Sequence, residues 1–126
     1  FDFIQTFRGR KHRVTTSTIG YAASMAGILL QAGDVRRMGK QSWLLIHEAS
    51  FGAGGKIGEV EDTVEWVKRV MKRVVDIFIS RCQATHAPKK LTKRQLEQRW
   101  KRKDWWISAD EALEFGLIDE VGPGHA

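Results

Sequence analysis

The stretch Val14-Thr-Thr-Ser-Thr-Ile19-Gly20-Tyr21-Ala-Ala-Ser24-Met25-Ala26-Gly-Ile-Leu-Leu30 decides the fold. Residues 14–19 are dominated by β-branched types and predict a short strand. Gly20 ends that strand, and residues 24–32 predict a buried helix that Gly33 stops. Ser24 stands between small residues at the opening of this helix. A hydroxyl there lies at the positive end of the helix dipole, where backbone N–H groups lack internal partners and can face a developing oxyanion. Small residues before it leave room for a substrate. Ser24 is therefore a candidate nucleophile.

Working outward, residues 34–41 read as a polar connection, and Ser42-Trp-Leu-Leu-Ile-His47 predicts a buried strand ending in a histidine. Further on, Asp104-Trp-Trp-Ile-Ser108-Ala109 places an aspartate before a helix start. A serine needs a base to become a useful nucleophile, and a neutral histidine is the usual one near pH 7. The base in turn needs a carboxylate that holds its tautomer and stabilises the imidazolium. Ser24, His47 and Asp104 form the candidate triad. Each also has a plain structural reading: Ser24 as a helix cap, His47 as a satisfied strand-end histidine, and Asp104 as a cap or a partner of the neighbouring bases.

The glycine-rich stretch Phe51-Gly-Ala-Gly-Gly-Lys-Ile-Gly58 lacks the Lys-Ser/Thr ending of a phosphate loop. Its glycines suit close approach of another backbone, such as a peptide. From Ile57 the apolar positions Ile57, Val60, Val64, Val67, Met71, Val74 and Phe78 advance in alternating steps of three and four, which predicts a long helix. Acids (Glu59, Glu61, Asp62, Glu65) lead and bases (Lys68, Arg69, Lys72, Arg73) follow, as the helix dipole favours. Val70, Val75 and Ile77 widen the apolar side, so this helix is expected to contact more than one surface. Thr92 with Gln95, and Ser108 with Glu111, make two capping-box patterns. Gly116 ends the second helix, and residues 117–121 predict a closing strand. The order strand–helix–strand–long helix–helix–helix–strand is α/β.

Composition narrows the function classes. The 126 residues suit one domain with an ordinary packed core, 42% hydrophobic. The chain begins at Phe1, so a preceding segment of a longer protein is expected. No apolar run reaches the length of a membrane span, and Arg8, Arg10 and Lys11 stand where a secretion signal would need its apolar centre. Cys82 is the single cysteine, which excludes an internal disulfide and suits a reducing, cytoplasmic setting. It pairs with His86 at helical spacing, but two ligands make no metal site, so no metal or cofactor is expected and Cys82 reads as a small buried apolar residue. Lys and Arg total 21 against 15 acids, and residues 89–103 concentrate the excess. Phosphate binding is mainly electrostatic, so nucleic acid is one reading of that stretch. A solvated face is the favoured one, because no nucleic-acid fold signature accompanies the charge. Trp100, Trp105 and Trp106, interleaved with it, read as core or interface residues.

Gly20-Tyr-Ala-Ala-Ser24-Met25, Leu45-Ile46-His47, Asp104-Trp-Trp-Ile-Ser108-Ala109-Asp-Glu111-Ala112 and Ala112-Leu-Glu-Phe-Gly116-Leu-Ile-Asp119-Glu-Val121 together resemble ClpP, the proteolytic-subunit family of the Clp proteases, from about Thr15 to Val121. The resemblance implies a ClpP/crotonase-like fold of stacked β-β-α units with a protruding handle helix. It implies a single peptidase domain over residues 1–126, equivalent to the C-terminal two-thirds of the family's domain. The handle would run over about 50–86 and a basic helix or insertion over about 87–103. On this resemblance Ser24 is the nucleophile, His47 the base, Asp104 the acid, and the Met25 N–H one oxyanion donor. Ser50, Phe51 and Gly52 belong to a strand, 50–55, that flanks a bound peptide. The function implied is an ATP-dependent type of serine endopeptidase acting through an acyl-enzyme. The implied partners are protein substrates, sister copies in heptameric and paired rings, and a hexameric ATPase unfoldase.

Departures are visible. The family's second oxyanion donor belongs to a Gly-Gly segment with no counterpart in residues 1–19, Gln-Pro after the histidine is replaced by Glu48-Ala49, and the 33–42 connection is short. Alternatives are a phage head-maturation protease acting on capsid or scaffold proteins, a catalytically silent assembly protein of the same fold, and a signal-peptide-peptidase-like relative with a lysine base.

Overall fold

A computed structural model of the chain describes residues 1–9, 12–23, 25–47, 52–101 and 103–122. The elements are α1 (Asp2–Gly9), β1 (Thr15–Thr18), β2 (Tyr21–Ala23), α2 (Met25–Leu30), β3 (Val35–Met38), β4 (Trp43–Ile46), α3 (Ile57–Gln83), α4 (Lys93–Trp100), β5 (Trp105–Ser108), α5 (Ala109–Phe115) and β6 (Glu120–Val121). The architecture is mixed α/β, the class expected from the sequence, while α1, β2, β3 and β5 are additions to the expected order.

The strands form two small sheets. One has the order β1-β3-β6, all parallel; the other has the order β2-β4-β5, with β2 parallel and β5 antiparallel to β4. The chain crosses from the first sheet to the second twice, between β1 and β2 and between β3 and β4. Gly20 makes the first corner with φ at 91°, a left-handed conformation that a side chain resists. Ser42, buried in the second corner, ties the two together: its hydroxyl donates to the Thr18 carbonyl (3.1 Å) and accepts from the Gly20 N–H (3.1 Å). The Gly39 N–H also donates to Thr18 O. These bonds satisfy backbone groups that would otherwise be stranded where the strands leave their sheets.

The core is built from Leu44, Ile46 and Ile107 of the second sheet, Met38 of the first, and residues from every helix after α1, among them Leu30, Phe78, Leu96, Trp100, Ala112 and Phe115. Only the C-terminal part of α3 enters it, through Val75, Phe78 and Cys82. Its N-terminal half buries no residue, and Ile57 and Trp66 are exposed. The helix therefore projects from the body.

Several local expectations hold. Thr92 and Gln95 exchange the capping-box bonds at the start of α4, at 3.2 and 3.0 Å. Ser108 accepts the Glu111 N–H, and Gly116 closes α5 at φ 80°. The departures have physical causes. Residues 35–38, expected as part of a polar connection, form β3, because Arg36 is wholly buried and neutralised there. Its guanidinium donates to both Asp119 carboxylate oxygens (3.0 and 2.9 Å) and to Gln31 Oε1 (2.8 Å), and its backbone N–H also donates to Asp119 Oδ2. Gln31 in turn donates to the Leu117 carbonyl. Burial pushes the Asp119 carboxyl up, but the Arg36 hydrogen bonds and the charges of Arg36 and Arg81 outweigh it and hold the group below its ordinary 3.8. Residues 105–108 form a strand ahead of the helix rather than leading straight into it. Residues 52–56 belong to no strand, and Ser50 and Phe51, expected beside Gly52 in a peptide-flanking strand, lie outside the described residues. The closing strand is confined to Glu120–Val121.

Candidate active site

The second sheet decides where the candidate triad sits. Its antiparallel pair runs Trp43 opposite Ser108, Leu44 opposite Ile107, Leu45 opposite Trp106 and Ile46 opposite Trp105. Continued by one residue, this register sets His47, just past the end of β4, opposite Asp104, just before β5. The sequence separates them by 57 positions; the pairing makes them neighbours across a strand end. On the other side of β4, Ala23 pairs with Leu45. Ser24 lies outside the described residues, while its chain neighbours Ala23 and Met25 end β2 and open α2.

Alternation along the strands separates core from site. Leu44, Ile46, Trp105 and Ile107 face inward, and Trp43 and Trp106 lie on the opposite, exposed face, with Tyr21 beyond them on β2. Tyr21 and Trp106 meet edge to face across 6.5 Å. Of Trp100, Trp105 and Trp106, the first two are core residues and the third is half-exposed. His47 is half-buried and Asp104 exposed. Among the described residues, no hydrogen bond or ion pair joins these two side chains.

Helix α2 can reach β4 because residue 27 is glycine. A Cβ there would lie 3.1 Å from Leu44 Cδ1 and 3.8 Å from the Phe78 ring, close enough at Leu44 that its side chain would have to shift. This close approach carries the start of α2, with Met25 62% exposed, to the end of β4. A cavity of about 190 Å³ opens beside Met25 and His47, walled by Ile28, Val70, Val74 and Phe78. Its walls come from α2, β4, α3 and α4, so the long helix contributes to the site as well as projecting from it. The repeating apolar positions at Val74 and Phe78 were visible in the sequence, but nothing local to them pointed at His47. Strand β5 was also missed, although Trp105-Trp106-Ile107 is a run of good strand formers.

Chemically, the arrangement brings a histidine, a carboxylate and the opening N–H groups of a helix to one end of one small sheet, next to an apolar hollow. That is the set needed for nucleophilic attack by a hydroxyl on a carbonyl.

The family model for Clp protease matches residues 1–125. The ATP-dependent Clp protease proteolytic subunit of Deinococcus radiodurans is 35% identical over 118 residues, covering 92% of this chain and 54% of that protein. Proteolytic subunit 1 of Chlamydia caviae is 32% identical over 112 residues, covering 86% and 54%. The subunit of Bacteroides fragilis is 34% identical over 113 residues, covering 86% and 49%. The chain spans about half the length of the curated relatives it matches. With the sheet arrangement and the ordered motifs, these matches lead to one conclusion: the chain belongs to the Clp protease family.

Proposed function

We propose that this chain carries the catalytic half of a serine endopeptidase that cleaves peptide bonds in proteins. The observation that carries the reading is the β4–β5 register, which sets residue 47 opposite residue 104 at the end where β2 gives way to α2. Ser24 Oγ attacks the scissile carbonyl while His47 takes its proton. The tetrahedral oxyanion collapses to an acyl-enzyme, and the amine leaves with the proton His47 returns. Water, deprotonated by the same imidazole, then releases the acid. Asp104 orients His47, and the Met25 N–H donates to the oxyanion. The hollow beside Met25 and His47 is lined chiefly by aliphatic and aromatic side chains, which supports an apolar side chain in the substrate next to the cleaved bond.

The partners follow the same reading. Sister copies assemble as rings of seven that meet through α3, and a ring-bound ATPase feeds the chamber. The charge order of α3 supports this contact, because two copies laid antiparallel would set Glu59, Glu61, Asp62 and Glu65 of one against Lys68, Arg69, Lys72 and Arg73 of the other. No helix among the described residues is long and apolar enough to cross a membrane, and a cytoplasmic site of action is part of the proposal.

A second reading, an assembly protein of this fold without turnover, is favoured by α3, whose N-terminal half leaves Ile57 and Trp66 exposed for contact with another copy. Labelling with a fluorophosphonate probe separates the two. The intact protein should label, and Ser24→Ala and His47→Ala should abolish it. An oligomeric, folded protein that never labels would establish the assembly reading instead.

A further inference from the structure

Arg99 lies in the last turn of α4, within the basic stretch that reads as a solvated face, yet it is not simply solvated. Its guanidinium carbon stands 5.0 Å from the centre of the Trp105 ring and 5.3 Å from that of Phe115. The two rings meet edge to face, 5.7 Å apart at 76°. Three elements converge in this stack: α4 supplies the cation, β5 the indole and α5 the phenyl ring. The helix that holds Arg99 is itself fixed, since Leu96 and Trp100 are buried. Trp105 is the residue directly after Asp104 and pairs with Ile46, the residue directly before His47. Whatever immobilises Trp105 therefore immobilises the backbone one peptide unit from the candidate acid.

Among the described residues, Asp104 has little else to fix it. It is exposed, and it ends the short link from α4 to β5. The link turns on a bond from the Lys103 N–H to the Trp100 carbonyl at 3.3 Å. A guanidinium lying over an indole is held by the ring quadrupole and by flat stacking, which an ammonium reproduces only in part.

We infer that Arg99 is a positioning residue: through Trp105 and Phe115 it holds the start of β5 so that Asp104 faces His47. This rests on the serine-peptidase reading of the site. The test is a pair of kinetic comparisons on the intact, assembled protein, reading peptide hydrolysis and the rate of fluorophosphonate labelling. Arg99→Met should lower kcat about tenfold with KM unchanged, as a small misplacement of a catalytic group does. Arg99→Lys should recover part of the loss. Lys101→Met, which removes a neighbouring charge but leaves the stack, should match the parent.

The decisive comparison is made in the Asp104→Asn background. If Arg99 works through Asp104, Arg99→Met costs almost nothing further there. Equal losses in both backgrounds would overturn the inference, as would an Arg99→Met protein with parental kcat. Should Arg99→Met fail to fold, Arg99→Lys in the two backgrounds gives the same comparison, with about a threefold loss expected in the parent alone. A parent protein that never labels at Ser24 overturns the peptidase reading and this inference with it, whereas labelling in the parent with no Arg99 effect overturns the inference only.

Discussion

Asp119→Asn is the substitution whose stability cost the structure lets one work out. The Asp119 carboxylate takes three donors, from Arg36 Nε, Nη2 and the Arg36 backbone, at 3.0, 2.9 and 2.8 Å. An asparagine keeps one acceptor oxygen and turns an N–H₂ toward the remaining donors. The Arg36 side chain is 1% exposed and that of Asp119 29%, so the arginine stays buried and loses its counter-charge. Removing one partner of a buried pair costs about 3–5 kcal/mol. The partial exposure of Asp119 lets water satisfy some of the stranded donors, which places the expectation near the lower end, about 3 kcal/mol. Urea unfolding at pH 7 should show this as a midpoint lowered by about 1–2 M at unchanged slope. The pH dependence carries a sign. The folded carboxyl is held below its ordinary value by Arg36, so its contribution is full above the unfolded value and fades as pH falls through the folded one. The gap between parent and variant should therefore close in acid. A loss below about 1 kcal/mol at pH 7, or a gap that does not narrow at all as the pH falls below the ordinary 3.8, would refute the reasoning.

Two further outcomes follow from local geometry. Gly116→Ala must accept φ 80° and bring a Cβ within 3.0 Å of the Cys82 carbonyl, so a loss of about 1–2 kcal/mol and a lowered Tm are expected; an unchanged melting curve would show that the turn relaxes freely. Cys82 is fully buried, and that burial pushes its thiol up to about 12 against the lowering influence of Arg36, Arg81 and a Leu91 backbone bond. Iodoacetamide should leave it untouched in the native protein and modify it on unfolding, and rapid native modification would contradict the burial.

How much could be read from the chain beforehand differs from element to element. Helix α3 was legible because its apolar repeat survives in a helix that is mostly outside the core, where periodicity needs no tertiary help. The caps at Thr92, Ser108 and Gly116 were legible because they are local chemistry. Strand β3 was not, since two adjacent arginines read as surface until Asp119, 83 residues away, neutralises the first of them. Strands β2 and β5 were hidden by their length of three and four residues and, for β5, by the abutting helix that takes Ser108 as its cap. Each of these short strands exists by virtue of its partner.

The candidate site repeats that division. His47 and Asp104 were singled out as residue types at element ends, but their relation is a property of strand pairing, and that was invisible while residues 105–108 were expected to lead into a helix. Once β5 is a strand antiparallel to β4, the two residues have to face one another, because a shift by one position would turn Trp105 and Ile107 out of the core and Trp106 into it. The buried indole of Trp105 thus does two things at once. It locks the register by its burial and, on the proposed role of Arg99, fixes the strand end that bears Asp104. A hydrophobic constraint thereby specifies the placement of a polar group that makes no bond of its own to His47.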